Sequence, residues 1–134
     1  MSLGSWDPAI GTTGSAIQLQ PELLERLIAF SRNKELAQLE QLLTADEKQL
    51  LAGLMQVDHA RWRAAAEPLS AEDVLHLIRF FAVAENLPGW EAGDKSPVIH
   101  LAKVLRRRGV RLQKDLLQWL REVSDNRFLP YGPL

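Results

Sequence analysis

The chain has 134 residues, 46% of them apolar and 25% charged, and a formal net charge of −1. That length gives about one domain with enough apolar mass to bury a core, and so small a net charge argues against a general polyanion binder. There is no cysteine, which excludes disulfides, thiol catalysis and cysteine-ligated zinc and agrees with an expected cytoplasmic location.

Residues 1–20 are rich in Gly, Ser and Thr and lack a basic region followed by an apolar run, so no secretory leader is expected. They read as a flexible N-terminal arm. Trp6, Ile10, Ile17 and Leu19 could anchor it to the body or to a second copy. Residues 21–134 are expected to form one all-helical domain. Pro21 suits a first helical turn, and Leu23, Leu24, Leu27 and Ile28 mark one face. Leu36, Leu39, Leu42 and Leu43 mark another, out of phase with the first, which predicts a break near Ser31-Arg32-Asn33, with a single bent helix as the alternative.

Thr44 with Glu47 has the spacing of a capping box. The helix it opens carries Leu50, Leu51, Leu54, Val57 and Trp62, and Glu67-Pro68 should end it. Ser70 then caps the helix on which the rest is expected to assemble, over about 70–86. Val74, Leu77, Ile78, Phe81 and Ala82 repeat at helical spacing, and Leu75, Phe80, Val83 and Ala84 add apolar surface on the other sides. A helix apolar nearly all round is buried among its neighbours. With Glu72, Asp73, His76, Arg79 and Glu85 in or beside it, the run is too short and too interrupted to span a bilayer, and no membrane partner is expected.

A polar loop with Gly and Pro follows, and Ser96-Pro97 is a strong helix start. Val98, Leu101, Ala102 and Leu105 are the apolar face of that helix, which Gly109 should end. A last helix is expected from about Leu112 to Val123. The tail 126–134 is non-helical, with Phe128, Leu129 and Tyr131 expected to pack back on the body. No stretch alternates as a strand. The expectation is an all-α compact bundle of five to six short helices. A small α-superhelix is the alternative, disfavoured because no repeat of fixed period occurs.

Few residues carry recognisable chemistry. The loop Gly89–Ser96 falls short of a phosphate loop: its glycines are too close, Asp94 separates Gly93 from Lys95, and a helix rather than a strand precedes it. His76 has Glu72 and Asp73 on its helical face, but the motif occurs once where a carboxylate-bridged centre needs it twice. His76 is expected to be part-buried and hydrogen-bonded, with His59 and His100 facing water. No nucleophile elbow is present. No metal, cofactor or catalytic residue is therefore expected.

The clearest surface signal is basic. Lys103, Arg106, Arg107, Arg108, Arg111 and Lys114 follow Pro97 with no acid among them. His100, Lys103 and Arg107 share a helical stripe. The free amides at the helix start, beside Lys95 and Ser96, could hold an anion. Trp90, in the polar loop, is either an anchor or a partner contact, and the anchor is preferred. The candidate contact surface is thus Trp90, Lys95, Ser96, His100, Lys103, Arg107 and Arg111. The expected function is a non-catalytic interaction module for an acidic or anionic partner, using the 86–97 loop and the basic helix 97–111. Self-association is a further expectation. Nucleic-acid binding through the same stripe is second, weakened by Asp115 and Glu122 in the next helix. An enzyme with a site near residues 89–100 is third.

Overall fold

The first helix, α1 (Pro21–Arg32), stops where the two leucine registers disagree. In the computed structural model, which describes residues 18–126, Lys34 takes the left-handed conformation at φ 60°. The amides of Lys34 and Glu35 return to the carbonyls of Ser31 and Phe30 at 3.0 and 2.9 Å. That is a Schellman ending with lysine where glycine is favoured. A 3₁₀ turn (Leu36–Gln38) and a one-turn helix, α2 (Leu39–Leu42), follow.

The capping box at Thr44 is complete. Its hydroxyl accepts from the Glu47 amide at 3.1 Å, and the Glu47 carboxylate accepts from the Thr44 amide at 2.9 Å. Arg26 of α1 pairs with the same carboxylate at 2.6 Å. These hydrogen bonds together outweigh the effect of burial, the largest single influence, and hold Glu47 below the ordinary carboxyl range.

The expected single helix from Thr44 to Glu67 is corrected. It is three pieces: α3 (Ala45–Leu51), a 3₁₀ segment (Ala52–Gln56) and α4 (His59–Ala66). Gly53 weakens the middle of the run, and Asp58 starts a new helix by accepting from the Arg61 amide at 2.9 Å. This split and the short α2 raise the count of α-helices to seven among the described residues. The remaining three are α5 (Ala71–Ala84), α6 (Pro97–Arg107) and α7 (Lys114–Val123).

The all-α compact fold is organised around α5, which packs on α1, α6 and α7, while α4 packs on α6. Val74, Leu77, Ile78, Phe80, Phe81, Ala82 and Ala84 of α5 are all buried, as all-round apolarity requires. Ser70 caps it, accepting from the Asp73 amide at 3.1 Å. Asp73 turns its carboxylate to Arg32 instead, at 2.6 Å, tying the end of α1 to the start of α5. An aromatic chain runs through the core. Phe30 stacks on Phe80 at 5.9 Å, Phe80 meets Phe81 edge-on at 5.0 Å, and Phe81 meets Trp62 edge-on at 5.3 Å.

α6 ends as its sequence predicts. Gly109, at φ 79°, is the left-handed residue of a second Schellman motif, with the Val110 amide bonded to Leu105 at 2.9 Å. Among the described residues no helix is long and apolar enough to cross a membrane. Of the N-terminal arm, Leu19 packs on the core. Trp6, Ile10 and Ile17, like Phe128, Leu129 and Tyr131 of the tail, lie outside the described residues.

Candidate functional site

The basic stretch after Pro97 does three separate things. Arg108 is structural: its guanidinium donates to the Leu69 and Ala66 carbonyls, both at 2.8 Å. These carbonyls lie at and just past the end of α4, and that of Ala66 also accepts from the Leu69 amide at 2.9 Å; a cation there also suits the helix dipole. Arg108→Ala is expected to cost about 1–2 kcal/mol in chemical denaturation. Arg108→Lys should recover less than half of that, because a lysine cannot reproduce the fork. Arg106 and the exposed Arg111 instead line a cleft of about 320 Å³ with Ala102, Val110, Leu112 and Leu117.

Lys103 and Arg107 face α4. There they meet His59, at the first position of α4, Arg63 one turn further on, and His100 of α6. The two imidazole rings lie 5.5 Å apart. The expectation that His59 and His100 face water is corrected. Both are half-buried, and both ring nitrogens of His59 and Nδ1 of His100 are shielded without a hydrogen-bond partner. Burial is the main cause that pushes both imidazoles below the ordinary range. Arg107, Lys103 and Arg63 add to it for His59, and His59 and Lys103 for His100. Asp58 opposes both shifts, but its carboxylate is engaged in capping α4. Among the described residues, none of Arg63, Lys103 and Arg107 is in an ion pair.

Two imidazoles can hold a metal, but three cations and one engaged acid around them favour an anion. Among the described residues no group of three or more His, Asp or Glu could bind a metal ion. His76 lies elsewhere. Its Nδ1 is 2.9 Å from the Ser31 hydroxyl, joining α5 to α1. Burial first, then Arg79 and Arg32, hold it below the ordinary imidazole range.

Two of the three candidate contact residues in the 86–97 loop are withdrawn from the surface. Trp90 is fully buried, its ring 6.4 Å from Phe80 and its Nε1 donating to the Lys48 carbonyl at 2.9 Å. Ser96 is fully buried as well. Its hydroxyl accepts from the Val98 amide and donates to the Glu85 carboxylate. The start of α6 therefore already faces an acid of the chain itself, so the anion-holding role given to Ser96 is corrected. Lys95 is exposed, at a separate cavity of about 430 Å³ lined by Met55, Gln56, Gly89 and Glu91.

Of the residues singled out from sequence, the structure thus brings together His100, Lys103 and Arg107. It sets Arg111 and the Lys95 side chain apart, although the Lys95 backbone hydrogen-bonds His100, and it buries Trp90 and Ser96. His59 and Arg63 join the cluster without having been singled out from sequence. Their i, i+4 spacing was a signal, but their pairing with α6 is a tertiary fact. Nor was Glu85 singled out, which accepts from Asn126 Nδ2 at 3.0 Å as well as from Ser96. Compared with protein-family models, curated proteins and solved structures, the chain matches none.

Proposed function

We propose that the protein is a non-catalytic interaction module that binds an acidic segment of a partner protein through the α4–α6 face. One observation carries this: Arg63, Lys103 and Arg107 are gathered on one face without ion pairs of their own. Cations left unpaired around shielded imidazoles are an electrostatic template for carboxylates. An acidic protein segment is favoured over nucleic acid. The net charge is −1, and three cations offer a counterion-release term far smaller than a dedicated duplex binder has.

The test is an anisotropy titration with a fluorescent glutamate-rich peptide at low salt. Binding is expected to weaken as salt rises. The triple variant Arg63→Glu, Lys103→Glu, Arg107→Glu should bind about tenfold more weakly or worse. A peptide affinity equal in the parent and the triple variant would remove the proposal. A random DNA duplex that binds more tightly than the peptide, with the same dependence on the three cations, would replace it by the nucleic-acid alternative.

A further inference from the structure

A third concavity lies between the end of α1, the 3₁₀ turn behind it, α5 and α7. It measures about 780 Å³, within the range of small-molecule sites. Leu36, Val83, Leu116, Trp119 and Val123 give it an apolar lining. Lys34 and Arg79 line it too, and neither is in an ion pair among the described residues. Asp115 is the acid of the lining, placed in the first turn of α7, where the helix dipole favours its charge. The charged side chains of the groove therefore sum to a net positive charge. Lys34 carries a second signal. It occupies the left-handed position of a Schellman turn that glycine would fill without strain. Strain of this kind persists where the surrounding structure fixes it, and it clusters at ligand sites.

We propose that this groove binds an amphiphilic monocarboxylate, its apolar chain against Trp119 and Leu116 and its carboxylate at Arg79 and Lys34. The apolar lining selects the chain. The planar guanidinium matches a carboxylate and discriminates against an uncharged head group of the same length.

Octanoate is the probe and octanol its uncharged match. Trp119 is half-buried in the groove lining, so the part of the emission change that Trp119→Phe removes reports occupancy apart from the signal of Trp6, Trp62 and Trp90. Octanoate is expected to shift that emission saturably and to bind about tenfold more tightly than octanol by calorimetry. Trp119→Phe should abolish the emission change. Arg79→Gln should remove most of the preference for octanoate. Lys34→Gly should do the same while relieving the backbone strain, so a folded variant is available even if Arg79→Gln is unstable. No octanoate binding, equal binding of octanoate and octanol, or an unchanged preference in Lys34→Gly and in folded Arg79→Gln would overturn the proposal.

Discussion

Trp90→Ala is expected to cost about 3–5 kcal/mol of folding stability. The indole fills a fully buried space against Phe80 and donates to the carbonyl of Lys48 at 2.9 Å. Its removal leaves a cavity where the 86–97 loop meets α3 and α5. Against a usual total of about 5–15 kcal/mol, that loss brings the chain close to unfolding. Trp90→Phe keeps most of the ring packing and loses the hydrogen bond, for an expected cost of about 1–2 kcal/mol. A surface contact residue would give changes within about 0.5 kcal/mol in both variants. Urea unfolding followed by circular dichroism separates the two cases. An alanine variant within about 1 kcal/mol of the parent contradicts the anchoring role. The loop is then a strap, and its tryptophan the pin that holds it.

Glu85→Gln is expected to stabilise the protein at alkaline pH. Glu85 is 4% exposed at the end of α5, and the partners of its carboxylate, Ser96 and Asn126, are neutral. Burial pushes its carboxyl up from the ordinary 4.5 to about 7, against those two hydrogen bonds. A carboxyl that holds its proton more tightly when folded contributes stability fully below pH 4.5, and that contribution is lost as pH rises through about 7. Glutamine can donate to Ser96 and accept from Asn126 while carrying no charge. The variant should therefore match the parent near pH 4.5 and exceed it by about 2–3 kcal/mol at pH 8. His59, His76 and His100 act the other way. Their depressed titration makes stability fall as pH drops below 6.5. The difference between variant and parent cancels that common term and isolates Glu85. A difference that stays flat from pH 5 to pH 8 contradicts the assignment.

Glu85 also shows why part of the fold was illegible in the sequence. It reads there as one of several acids at the end of an apolar helix. Only the fold brings Asn126 to it, and brings Asn126 Nδ2 to the Gly93 carbonyl at 2.9 Å. Asn86 beside it donates to the Val123 carbonyl at 2.6 Å and accepts from the Asp125 amide at 3.0 Å. These contacts span more than 30 residues, and no local pattern encodes them. What was legible is local. The Thr44 box, the Ser70 and Ser96 caps, the Gly109 ending and the break after Arg32 depend on residues within one or two turns of one another. The burial of α5 was legible because its apolar residues cover most of its circumference and leave only the narrow stripe of Glu72, Asp73, His76 and Arg79 polar.

The same distinction explains the misread stretches. The leucine spacing from Leu50 to Leu54 continues smoothly, and it masked the cap at Asp58. The run from Lys103 to Arg111 reads as one basic patch, but helical geometry sends its members three ways. Arg108 reaches carbonyls 39 and 42 residues back, Arg106 and Arg111 line a cleft, and Lys103 and Arg107 meet α4.

The face so defined is tested most directly by amide chemical-shift mapping. Isotope-labelled protein is titrated with the glutamate-rich peptide at low salt. The shifts are expected to centre on His59, Arg63, His100, Lys103 and Arg107, and to vanish in the triple glutamate variant. Shifts centred instead on the 86–97 loop, or on the Arg106–Arg111 cleft, would contradict the assignment of the α4–α6 face as the contact surface.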